Sequence, residues 1–194
     1  MAERWPVIRP PVEKLLSLAL LLGALPVHAD TAQKGDYWVV HHQASLGKSK
    51  VYLADGDPSN IYERPGGAKS VGVYLFDQQP GKPDFTVYDV EVDCRNKRAR
   101  VTGALDFSSV ANTLRKAKFS NQWQGDQQPW LAQSRDFICK PAERQALKME
   151  HLGVMSASQL SRSGPQLFQI LNREARRAEI IRQIDHAFTQ MPAK

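Results

Sequence analysis

"FTVYDVEVDCRNKRARVTG" (Phe85–Gly103) reads as two strands and a turn. Side chains alternate between the faces of an extended chain. Thr86, Tyr88, Val90, Val92 and Cys94 therefore share one face, and Asp89, Glu91 and Asp93 the other. Beyond Arg95-Asn96 the return strand carries Ala99, Val101 and Leu105 on one face, with Arg98, Arg100 and Thr102 opposite. Setting Cys94 against Lys97 also sets Asp93 against Arg98, Val92 against Ala99, Glu91 against Arg100, and Val90 against Val101. A slip of one residue would turn each charged face into the core face of its neighbour. The pairs Asp93/Arg98 and Glu91/Arg100 are thus expected as cross-strand ion pairs, each worth about 0.2–1 kcal/mol. They are architecture before they are a binding patch. Arg-Asn is not the Asn-Gly of a tight two-residue turn, so the spacing also accommodates a looser loop.

The same pattern extends toward the N-terminus. "YWVVHH" (Tyr37–His42), "KVYLAD" (Lys50–Asp55) and "SVGVYLF" (Ser70–Phe76) are rich in β-branched and aromatic residues and are divided by Gly/Ser and Pro/Gly/Asn clusters. One further strand is predicted around Lys118–Trp123, after which Gln128–Phe137 leads to Cys139. The expected class is α+β: a twisted antiparallel sheet with one disulfide and a C-terminal helix. Its divisions are a signal peptide over 1–29, a flexible N-terminus over 30–35, and a disulfide-closed sheet domain over 36–142. A short helix and linker over 143–158 and an amphipathic helical tail over 159–194 follow. In the tail, Leu167, Ile170, Leu171, Ala175, Ala178, Ile181, Ile184 and Phe188 recur at helical spacing, with Pro165 in a first turn. Glu174 and Asp185 interrupt that stripe, and Arg173, Arg176, Arg177 and Arg182 give it a basic cast. The interruption favours a helix that packs on its own domain or on a partner over one lying on a membrane.

Arg4, Arg9 and Lys14 precede an 11-residue apolar run, Leu15–Leu25, followed by Pro26 and by Val27 and Ala29 at small-residue positions. This is the pattern of a secretory signal cleaved between Ala29 and Asp30. A spanning helix needs about 20 apolar residues, and no second run of such length follows. Removing 29 of the 194 residues leaves 165, enough for one cored domain. The formal charge of +6 falls to +5 once this segment, with three basic and two acidic residues, is gone. Such a charge suits solubility and attraction to anionic surfaces. Export and the lack of a recognition motif argue against nucleic acid. Two cysteines in an exported chain favour a disulfide, Cys94 to Cys139, over a catalytic thiol.

Catalytic and metal signals are weak. His41 and His42, adjacent on a strand, point to opposite faces and do not readily share a metal. "DGDPSNIYERPG" starts like a calcium loop, with Asp55, Asp57 and Ser59 at alternate positions. It then has Asn60 where Gly is needed and Gly66 where a bidentate Glu is needed, so it reads as a turn. No phosphate loop, nucleophile elbow or dinucleotide fingerprint occurs. Trp38, Trp123 and Trp130 are expected in or near the core. The chain is therefore expected to be non-enzymatic, without cofactor or metal.

The order of a tryptophan-bearing first strand (Trp38), "VYLADGDPSNIYERPGG", an apolar strand (Val71–Phe76), "DVEVDCRNKRARV" and "SRDFIC" ending at Cys139 resembles the surface-adhesin protein E-like family of small exported bacterial proteins. The likeness covers about residues 36–142. It implies an antiparallel sheet with an associated helix, the Cys94–Cys139 bond, and a periplasmic or secreted place in a Gram-negative envelope. It also implies a protein or envelope component as partner, the family's named adhesin binding host matrix and serum proteins. This chain differs in lacking a cysteine just after the signal and in carrying the helical tail. Self-association through that tail, giving a homo-oligomer, is the alternative expectation, ahead of a small envelope hydrolase.

The export reading is checked by the intact mass of the protein from the envelope fraction, alkylated without reduction. The expected chain starts at Asp30 and carries no alkyl adduct. An uncleaved chain with two adducts would overturn both the signal and the disulfide.

Overall fold

The computed structural model describes residues 34–111 and 113–189. The signal peptide and its Ala29–Asp30 boundary lie outside them. The architecture is α+β. An eight-stranded antiparallel sheet is built from β1 (Lys34–Gln43), β2 (Lys50–Asp55), β3 (Tyr62–Arg64), β4 (Ala68–Asp77), β5 (Phe85–Asp93), β6 (Arg98–Ser108), β7 (Thr113–Lys116) and β8 (Glu150–Ser156). Two helices, α1 (Pro129–Cys139) and α2 (Ala157–Thr189), accompany it. The strand order is β7-β6-β5-β4-β2-β1-β8, and β3 pairs beside β4.

The β5–β6 register is the expected one, with Asp93 opposite Arg98, Val92 opposite Ala99, Glu91 opposite Arg100 and Val90 opposite Val101. The looser loop is what forms. Lys97 has φ +50°, and Asp93 accepts hydrogen bonds from the Asn96 backbone and side-chain amides at 3.1 and 2.7 Å. Farther along, the register shifts so that Asp89 faces Gly103. The extra residue, Thr102, bonds the Asp89 carboxylate at 2.9 Å. Such a bulge inverts the alternation beyond it. Ala104 is consequently buried, and Leu105, expected beside Ala99 and Val101, is 41% exposed.

Both faces of the sheet are covered, but by different helices. On one, Val40, Tyr52, Val73, Val90, Val92 and Val101 pack under Leu131, Phe137 and Ile138 of α1. On the other, Tyr37, Val51, Leu53, Phe76 and Phe85 pack with Leu160 and Leu171 of α2. β2 is buried almost throughout because it contributes to both cores. The disulfide joins Cys94 at the hairpin turn to Cys139 at the end of α1, with Cα atoms 5.5 Å apart. Arg135 adds a second tie, donating to the Lys97 carbonyl at 2.9 Å while it pairs with Asp126 and Asp136.

Several expected boundaries are corrected. The strand expected at Lys118–Trp123 forms earlier, as β7; near Trp123 only a single bridge, Ala99 to Gln124, is made. Gln128–Phe137 is mostly helix, with Pro129 in its first turn. The sheet does not end at residue 142. Where 143–158 reads as helix and linker, the chain turns through Lys148 (φ +59°) and runs back as β8 against β1. Pairing the backbone groups along β1 outweighs the helix propensity of "AERQALKMEH". The polar break "SASQ" proves to be a helix start. Ser156 Oγ accepts from the Gln159 N–H at 3.3 Å, and Gln159 Oε1 accepts from the Ser156 N–H at 2.9 Å. This reciprocal capping box starts α2 eight residues before Pro165, which lies inside the helix.

Replacing both cysteines by alanine (C94A/C139A) is expected to cost about 4 kcal/mol, from the entropy of closing a loop of 45 residues. Denaturant unfolding measures it. A loss below about 1 kcal/mol, the scale of a single cross-strand pair, would mean that register and Arg135 alone fix the hairpin.

Candidate functional site

The residues singled out in the sequence serve the framework. Glu91 receives Arg100 at 2.8 Å and Asp93 receives Arg98 at 3.2 Å. Both guanidiniums also lie over the Trp123 ring, 4.5 and 4.6 Å from its centroid. Trp123 thus caps the charged end of the sheet. Hydrogen bonds from Asn96 and then Arg98 hold the Asp93 carboxyl below the usual range.

Asp55 and Asp57 are likewise consumed by a turn. Buried Asp55 accepts from the backbone N–H groups of Asp36 and Asp57 and from the Asn60 amide, at 2.9, 3.0 and 2.7 Å. Asp57 caps the 3₁₀ turn Pro58–Asn60. No group of three or more potential metal-ligating side chains occurs among the described residues.

Beside this turn is a cluster that sequence reading did not assemble. Asp36 accepts from Trp38 Nε1 at 3.0 Å and from His151, whose ring lies 4.5 Å from that of Trp38. The Arg144 guanidinium covers Phe137 at 3.8 Å and Trp38 at 5.3 Å. Burial lowers the Arg144 pKa, and the Asp36 charge opposes that shift. Gly56 closes the cluster: a Cβ there would meet Arg144, Trp38 and Asp36 at 3.0–3.2 Å. An imidazole and a carboxylate are thus joined, yet among the described residues no hydroxyl or thiol hydrogen-bonds to His151 to serve as a nucleophile. The only available signal was Asp36 and Trp38 two apart on one strand face; His151 and Arg144 join them only once β8 has paired.

His41 and His42 separate as expected. His41 Nδ1 lies 2.6 Å from Gln133 Oε1 on α1, and its Nε2 is buried without a partner. His42 borders a cleft under α2 with Val39, Leu167 and Ile170. A bulge between Val39 and His41 lets Val40 and His41 both serve the α1 side.

One of the larger openings lies beside α2. A groove of about 610 Å³ runs between the helix and the β4–β5 connection. Pro83, Pro165 and Phe168 supply apolar wall, and Asp77, Asp84 and Arg162 supply charge. Gly164 lets α2 pack directly on Phe76 beside the groove, because a Cβ there would meet the Phe76 ring at 2.7 Å. The helix can sit this low only without a side chain at that point. Phe168 is not distinguishable in the sequence from an ordinary core aromatic.

Burial lowers the His41 pKa, with the Gln133 bond opposing and His42 adding to the shift. Between the folded pKa and the unfolded value of about 6.5, the unfolded chain binds more protons. Stability should therefore fall as pH drops through about 6.5 toward the folded pKa and level off below it. His41→Gln should flatten that slope in urea unfolding between about pH 7.5 and 5; an unchanged slope would assign it to other groups. Compared with known proteins, the chain matches no family model, no curated protein and no solved structure.

Proposed function

We propose that the chain is an exported, non-enzymatic binding module that recognises a segment of a protein or another envelope component in the groove beside α2. The observation that carries this reading is the groove's lining. Phe168 and two prolines beside opposed charges on one open channel suit an extended chain, which presents apolar side chains and backbone donors and acceptors together. The disulfide supports an oxidising compartment. No helix of the described residues is long and apolar enough to cross a membrane. The ordered likeness to surface-adhesin protein E-like proteins points in the same direction, and a rigid stapled sheet bearing a groove is a suitable scaffold for adhesion.

A photo-crosslinking residue placed at Gln169, on the groove wall, tests this in producing cells against the same residue at Asn96 on the hairpin tip. Discrete adducts are expected at position 169 alone, lost on Phe168→Asp. Equal labelling at both positions, or adducts indifferent to Phe168, would overturn the reading.

A further inference from the structure

The second half of α2 leaves the sheet. From Arg173 onward only Ala175 and Glu179 are even half-buried among the described side chains. Yet this half is not polar all round. Ile181, Ile184 and Phe188 are 49, 49 and 67% exposed, and Ile170, just before it, is 56% exposed. Together with Glu174 and Arg177 they follow one another at spacings of 4, 3, 4, 3 and 4 residues. That is the heptad seam of a coiled coil. At about 100° per residue the six fall within a stripe about 80° wide. It lies to one side of the line through Leu160, Gly164 and Leu171 that faces the sheet. Glu174 and Arg177 have no ion pair among the described residues, whereas Glu179, off the seam, pairs with Arg182.

The two seam charges select the occupant. In a parallel pair of identical helices, Glu174 would meet Glu174 and Arg177 would meet Arg177, which is repulsive at both layers. In one antiparallel register, Ile170 meets Phe188 while Glu174 and Arg177 are set against isoleucines, which desolvates unpaired charge. Shifting that register by one heptad pairs the charges and the isoleucines and leaves Phe188 opposite the partner's Ser163. Ile170 then meets the partner's Ile181, and Glu174 meets the partner's Arg177, each twice by symmetry. Ile184 falls opposite the partner's Leu167, at the mouth of a cleft of about 80 Å³ lined by Val39, Val51 and Leu171. Polar seam residues of this kind fix register and orientation in helix pairs.

We propose that two copies of this chain associate through α2 from Leu167 onward, antiparallel, with Glu174 of each opposite Arg177 of the other. This interface lies beyond the groove reading and does not depend on it. It places the two sheets at opposite ends of a shared two-helix segment.

Sedimentation velocity of the full chain as expressed, with thermal unfolding as the control for folding, decides the matter. The wild type is expected as a dimer. Glu174→Arg and Arg177→Glu should each weaken dimerisation by roughly tenfold or more. The double variant E174R/R177E should restore it, because the swapped charges again meet opposite partners. Ile181→Asp should give a folded monomer. A monomeric wild type would overturn the proposal, as would a dimer indifferent to the single swaps. A double swap that fails to recover would overturn the register. Sedimentation of a monomeric wild type with phosphatidylglycerol vesicles, abolished by Ile181→Asp, would overturn it in favour of a membrane-surface helix.

Discussion

The β5–β6 pairing constrains everything built around it. Val90, Val92, Ala99 and Val101 are each at most 6% exposed, and the acids and arginines alternating with them pair across the same two strands. Sliding β5 by a single residue would bury Glu91 and Asp93 against α1, expose Val90 and Val92, and leave Arg98 and Arg100 without their partners. A cost of that kind exceeds any turn preference. The turn accordingly adapts to the strands: Lys97 takes a left-handed conformation, and Asp93 and Arg135 bind the backbone around it. The disulfide then anchors this hairpin to the end of α1, holding the helix over the face it must cover.

Each layer of the molecule follows from which face is left over. The α1 face is apolar across β1 to β6 and receives a short helix tied at its end. The opposite face is divided. At the hairpin end it carries the ion pairs and Trp123, and toward the far end it turns apolar around Phe85, whose ring lies 5.9, 5.7 and 4.8 Å from those of Tyr74, Phe76 and Phe107. Only this apolar end needs a cover. The first half of α2 supplies it, Gly164 bringing the helix down onto Phe76. The helix then outruns the surface it covers, which leaves one groove beside it and an exposed seam beyond.

Much of this was legible where a single period applies over a whole element. β1, β2 and β4 are rich in β-branched and aromatic residues between turn clusters, the β5–β6 hairpin alternates cleanly as far as Val101, and two cysteines left one pairing. Legibility failed where tertiary pairing overrides local preference. "AERQALKMEHL" has helix formers throughout, yet β1 needs a partner on its open side, and that demand is invisible in the segment itself. The Ser156–Gln159 capping box was present as letters, but a polar run reads equally as a break when the preceding strand has been missed. Leu105 was misplaced by one inserted residue, Thr102, whose effect is known only from the partner strand. The Asp36–Trp38–His151–Arg144 cluster is the clearest case. Its members span more than 100 positions and converge only because β8 closes the sheet.

That closure also settles how the sheet ends. On one side stands β8, where Leu152 is an extra residue against β1 and Gly153 takes φ +99°. A bulge twists an edge away from the flat geometry that another strand would copy. On the other side stands β7, only four residues long and carrying Arg115 and Lys116. Short length and positive charge are the other common ways of blunting an open edge. Neither margin offers a regular row of free amides and carbonyls for a neighbouring chain to extend. An eight-stranded sheet without such guards would be a template for amyloid-like growth. Here that route is closed at both ends, and Val154, although 65% exposed, sits on a strand too irregular to seed it.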